Sequence, residues 1–177
     1  MCGGRVIFKL FLIKHNSNIA MNNQNKIEQK LKELSITLPQ PIAPVANYVP
    51  FVKSGNQIFI SGQLPIKNGE AKFIGKLGDN ISIEEGQEAA RLCAINIIAN
   101  LKIACDGNLD QVVRCIKLGI FVNAVADFIN HPIVANGASD LIVAVFGDQG
   151  KHSRFAMGAG SLPRGVAVEI DAVFEVL

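Results

Sequence analysis

"SIEEGQEAARLCAINIIANLKIACD", residues 82–106, is the stretch from which the fold follows. Ser82 and Glu85 have the spacing of a capping box, which starts a helix at this point. From Ala89 onward the helix is apolar round most of its circumference, so it needs a sheet on one side and further cover on another. After it, "VVRCIKLGIFV" (112–122) reads as a strand. "ASDLIVAVFG" (138–147) reads as a second helix, capped by Ser139 or Asp140 and stopped by Gly147. Before it, "VPFVKSGNQIFISG" (49–62) reads as a hairpin around Ser54-Gly55-Asn56. An Asn68-Gly69 turn follows, with a further strand at Phe73-Ile74. Strands near 153–159 and 167–176 close the domain. The expected fold is therefore α+β: one mixed β-sheet with two main helices on one face.

The N-terminal part reads differently. Ile27, Leu31 and Leu34 recur at helical spacing, and Pro39, Pro41 and Pro44 then force an extended path. Residues 1–20 hold a basic, apolar stretch, "RVIFKLFLIKH". Lys9 splits it, it is too short to span a bilayer, and no small-residue cleavage site follows. Met21 opens a stretch that reads better as a protein start. The expected layout is an extension over 1–20, a short helix and proline-rich lead over 21–44, and one domain over 45–177. A cytoplasmic location and no membrane partner are expected.

Composition narrows the function classes. With 49% hydrophobic and 18% charged residues the chain is globular. Ten Phe, one Tyr and no Trp make a poor set for stacking bases, and a net charge of +2 spread along the chain makes no basic footprint. No nucleic-acid partner is expected. Cys2, Cys93, Cys105 and Cys115 show no CxxC pair, and His15, His131 and His152 are far apart. Free structural thiols and no metal site are expected.

The C-terminal "HSRFAMGAGSLPRGVAVEID" (152–171) places a charge in each of two apolar strands: Arg154 and Glu169. By alternation Val168, Ile170, Ala172, Phe174 and Val176 share one face, and Glu169, Asp171, Val173 and Glu175 the other. Likewise Phe155, Met157 and Ala159 oppose His152, Arg154, Ala156 and Gly158. Arg154 and Glu169 are expected to point together, away from the helices, towards another subunit. On spacing alone they read either as a mutual ion pair or as a pair facing a ligand. Asp171 and Glu175 read as surface or interface charges.

Ser153-Arg154, Leu162-Pro163, Val168 and Glu169 resemble the C-terminal signature of the RidA/YjgF family of reactive enamine/imine deaminases, although His152 departs from the Pro or Ala usual there. "SGQLP" (61–65) and the helix–Gly–strand run ending at Asp127-Phe128 resemble further family motifs, in the same order, over residues 45–177. The lead "IEQKLKELSITLPQP" and the "NGASDL" helix resemble one branch of that family. The resemblance implies a chorismate-mutase-like fold and a homotrimer with clefts between subunits. It also implies hydrolytic deamination of 2-aminoacrylate-like enamines and imines to a keto acid and ammonia, with no metal or organic cofactor. In it Arg154 pairs with the substrate carboxylate and Glu169 orients the attacking water. Tyr48 reaches the cleft, the Gly62 backbone lies against the ligand, and Asn136 is the candidate for the cleft asparagine. Two other readings stand beside it: a trimer that binds small carboxylates without turning them over, and an endoribonuclease.

Overall fold

The computed structural model describes residues 25–40 and 47–177. The extension over 1–20, Met21, and Pro41 and Pro44 of the lead lie outside the described residues. In chain order the elements are α1 (Lys26–Glu33), β1 (Phe51–Ser54), β2 (Gln57–Gln63), β3 (Ile66–Lys67), β4 (Glu70–Ala71), α2 (Ile83–Ala104), β5 (Val112–Asn123), α3 (His131–Phe146), β6 (Ser153–Ala159) and β7 (Val168–Val176). Five strands make one mixed sheet in the order β1-β2-β7-β5-β6. Its pairings are antiparallel except β5 with β6. β3 and β4 form a separate small hairpin.

α2 begins as expected. The Ser82 hydroxyl accepts from the Glu85 N–H, and the Glu85 carboxylate accepts from the Ser82 N–H. Its buried face, from Ala89 through Ile97 and Ile98 to Leu101, joins Ile58, Leu118, Ile120, Ile170 and Phe174 of the sheet in one core. α3 covers the rest of that sheet face, towards β6, and lies against α2. A side chain at Gly137 of α3 would run into the backbone of Gln87 on α2, so this glycine permits the close crossing. Gln87 also donates to the Ile133 carbonyl across the junction at 2.9 Å.

Two expectations need correction. α3 starts at His131, not near Ser139, because Asn130-His131-Pro132 supplies a start in which proline sits in the first turn, where no N–H is needed. Gly147 does end it, at φ 61°. The strand expected at Phe73-Ile74 is instead a bend with one isolated bridge, Ile74 to Val166; the turn at Asn68-Gly69 closes the shorter β3–β4 hairpin.

α1 is docked by Asp110. Its carboxylate accepts from the backbone N–H groups of Asn25, Lys26 and Ile27, capping α1 from a distant part of the chain. An ion pair between Lys102 and Glu28 (2.8 Å) adds a second tie. The opposite face of the sheet carries no helix among the described residues. Val52, Phe59 and Met157 are 52%, 45% and 49% exposed on it. Phe121 meets Phe155 edge-on at 5.4 Å, and Lys117 lies over Phe155 at 5.1 Å.

Candidate active site

The expected site residues fall into two groups on opposite faces of the sheet. Glu169 stands near the start of β7, on the helix-free face, paired in register with Phe121 of β5. Its carboxylate extends over Gly62 of β2, so closely that a Cβ at 62 would overlap Oε1. Burial, first, and then the nearby Asp171 carboxylate push the Glu169 carboxyl above the usual carboxylate range.

Gly62 is held from below. Asn96 donates to the carbonyls of Leu64 (2.9 Å) and Ile66 (3.1 Å), and Asn100 donates to Oε1 of Gln63 (3.0 Å). These two buried asparagines, one turn apart in an apolar helix, fasten the "SGQLP" segment to α2. Polar residues four apart inside an apolar run were the available signal for them. On the outer side Ser61 Oγ donates to the Val49 carbonyl at 2.8 Å, and Ser61 N–H to the Pro50 carbonyl at 3.0 Å. These bonds carry Tyr48, 55% exposed, alongside the Gly62 region. Gly62 and Glu169 are thus brought together as one half of the candidate site, with Tyr48 next in the chain to the Val49 carbonyl that Ser61 binds.

Arg154 belongs to the other half. It is paired with Leu118, which is paired in turn with Ala172 of β7. Both neighbours are buried in the helix-side core. The guanidinium reaches α3, donating to Ser139 Oγ (2.8 Å), the Pro132 carbonyl (3.1 Å) and Asn136 Oδ1 (2.9 Å). The expectation that Arg154 and Glu169 point together is overturned. Within one protomer they are two strands apart, about 10 Å, and three residues apart along the sheet, again about 10 Å, on opposite faces. They form no mutual ion pair. The companions placed with Arg154 move as well: Ala156 packs on the core under α3, and Gly158 lies under the His131 ring.

The reason is steric. α3 crosses close over β6, so the residues beneath it have to be small, whereas Phe155 and Met157 have room on the open face. Ser139, expected as a helix cap, lies mid-helix and bonds Arg154 and His152 instead. Asn136, the candidate for the cleft asparagine, touches Arg154 directly.

Cys93, Cys105 and Cys115 are buried free thiols. Burial pushes Cys115 up to about 12, and Cys93 and Cys105 also rise, so all three behave as apolar side chains. Among the described residues no three His, Cys, Asp or Glu side chains are grouped as ligands for a metal ion. No described helix is long and apolar enough to cross a membrane.

The fold thus combines a mixed five-stranded sheet, two helices on one face, an acid over a glycine and an arginine on an edge strand. The family model described as "YjgF/chorismate_mutase-like, putative endoribonuclease" matches residues 28–170. Protein TCP17 of Trypanosoma cruzi is 45% identical over 152 residues, which is 85% of this chain and 94% of that protein. The crystal structure of Atu1372 from Agrobacterium tumefaciens superposes with a TM-score of 0.84 at 44% identity, over 91% of this chain and 99% of that one. RidA from the Antarctic bacterium Psychrobacter gives 0.53 at 27% identity, over 77% and 94%. The chain belongs to the YjgF/RidA family.

Proposed function

We propose that the protein hydrolyses small, carboxylate-bearing enamines and imines of the 2-aminoacrylate type to a keto acid and ammonia. It works as a homotrimer in which Arg154 of one protomer meets Tyr48, Gly62 and Glu169 of the next. The observation that carries this reading is the Glu169 carboxyl: half-buried, seated over Gly62, raised in proton affinity, and without an ion pair among the described residues. It lies on an apolar sheet face that a second copy would cover. Arg154 stands on the outermost strand, β6, where it can extend to a neighbour.

The chemistry follows from the substrate. Arg154 holds the carboxylate through charge-assisted hydrogen bonds. The enamine gains a proton at its terminal carbon and becomes the imine. Glu169 in its acid form, which its burial and the neighbouring Asp171 favour, can supply that proton. The resulting carboxylate then orients a water against the imine carbon and accepts its proton. The carbinolamine collapses, its nitrogen leaves as ammonia, and a keto acid remains. Such substrates hydrolyse unaided, so positioning supplies most of the acceleration required.

The test is keto-acid and ammonia formation from enzymatically generated 2-aminoacrylate. Wild type is expected to exceed the spontaneous rate, with Arg154→Ala and Glu169→Gln both returning towards it. Glu169→Gln should still bind carboxylates. A wild type no faster than solution would replace this reading with that of a carboxylate-binding trimer.

A further inference from the structure

Arg154 ends a chain of hydrogen bonds that the deamination chemistry does not use. The Gly150 carbonyl lies 2.6 Å from His152 Nδ1, His152 Nε2 lies 3.0 Å from Ser139 Oγ, and Ser139 Oγ lies 2.8 Å from Arg154 Nη1. With a neutral imidazole every direction in this chain follows. A carbonyl only accepts, so Nδ1 carries the hydrogen, and Nε2 of the neutral ring is then an acceptor. Guanidinium only donates, so Ser139 accepts from Arg154 and gives its own hydrogen to Nε2.

The chain also bears on which edge of Arg154 a ligand can use. A carboxylate is gripped at two points either through Nε and Nη2 or through both terminal nitrogens, and both grips use Nη2. Nη2 is occupied by the Pro132 carbonyl and Asn136 Oδ1. An arriving carboxylate therefore has to take Nη2 from one of these while something else keeps the guanidinium in place. Ser139, on Nη1, is that holder, and it leaves the Nε–Nη2 edge for the ligand.

We propose that Ser139 and His152 form a positioning relay that presents the Nε–Nη2 edge of Arg154 to a small carboxylate, and that the relay holds only while His152 is neutral. This rests on the carboxylate-anchoring role of Arg154 proposed above. Protonation makes Nε2 a donor, so Ser139 loses the acceptor for its hydrogen, and a second cation then shares Ser139 with Arg154. Other charges are few around the relay. The turn before β6 carries the Asp148–Lys151 ion pair (2.8 Å), and Asp140, next to Ser139 on α3, lines the groove towards Glu88 and Arg91 of α2. β5 contributes the buried Leu118 beside Arg154. Acid also neutralises Glu169, which would favour an anion, an effect of opposite sign.

The probe is pyruvate, which stays ionised throughout, titrated into the full chain in its native assembly. Arg154→Ala tests the anchor; Ser139→Ala, His152→Ala and His152→Gln test the relay. The amide oxygen of Gln can accept from Ser139 but does not titrate. Ser139→Ala and His152→Ala should weaken binding about 10-fold, with His152→Gln within about 3-fold of wild type. From about pH 8 to about pH 5, where imidazoles titrate, wild-type affinity should fall relative to that of His152→Gln. Equal binding by wild type, Ser139→Ala and His152→Ala overturns the relay and leaves the anchor standing. So does a loss common to both His152 variants with parallel pH profiles. A wild type that binds pyruvate no better than Arg154→Ala removes the anchor, and the relay with it.

Discussion

Gly62 keeps clear the space in which the Glu169 carboxylate lies, since a methyl group at 62 would overlap Oε1. Gly62→Ala should therefore push the acid aside while the β2–β7 pairing survives. Deamination kcat/KM is expected to fall by about 10- to 100-fold, because small misplacements of a reacting group are costly. Parallel far-UV spectra and activity measurements check this. Full activity in Gly62→Ala would separate Glu169 from the reaction.

The raised Glu169 carboxyl also has a consequence for stability. The folded state holds its proton to higher pH than the unfolded chain does, so the charged form opposes folding. The stability contribution is present below the ordinary carboxylate value and is lost as pH rises through the raised one. Glu169→Gln should then melt higher than wild type at neutral pH, by up to about 2 °C after allowance for solvent screening. The difference should shrink as the pH falls from the raised value towards the ordinary carboxylate one and vanish below it, which thermal melts at a series of pH values would follow.

Asp110 caps α1 by accepting from three successive backbone N–H groups. Replacing it with Ala leaves those donors without a partner at the helix start and should cost about 1–2 kcal/mol. Hydrogen exchange over residues 26–33 is expected to accelerate while α2 stays protected. Unchanged exchange in α1 would mean that packing of Leu31, not the cap, holds the helix.

The open sheet face offers a test of assembly. Phe59 pairs with Val173, and Met157 is paired with Phe121, all on the face that carries Glu169. Phe59→Lys or Met157→Lys should shift sedimentation towards the monomer and reduce deamination with it. An active, unassembled Phe59→Lys variant would mean that Arg154 and Glu169 act without a neighbouring protomer.

Much of this was legible before any coordinates. The Ser82–Glu85 capping box set the start of α2, alternation separated the two faces of β7, and Gly147 marked the end of α3. These are local signals, carried by residues a few positions apart. The start of α3 was misplaced because an apolar run beginning at Ala138 outweighed Asn130 and Pro132. Ser139 was misread for the same reason: hydroxyl residues suit helix starts, and its actual partners lie 13 and 15 residues away.

The sequence by itself determined which residues of a strand go together: Phe155 with Met157, and Glu169 with Asp171. It could not determine which set of β6 shares a face with which set of β7, since both sides of β6 are largely apolar. That was decided by the pairing of both strands with β5, where Ile120 stands between Ala156 and Ile170. The physical reason is packing: α3 approaches β6 too closely for Phe155 or Met157, so the small residues turn inward and Arg154 goes with them.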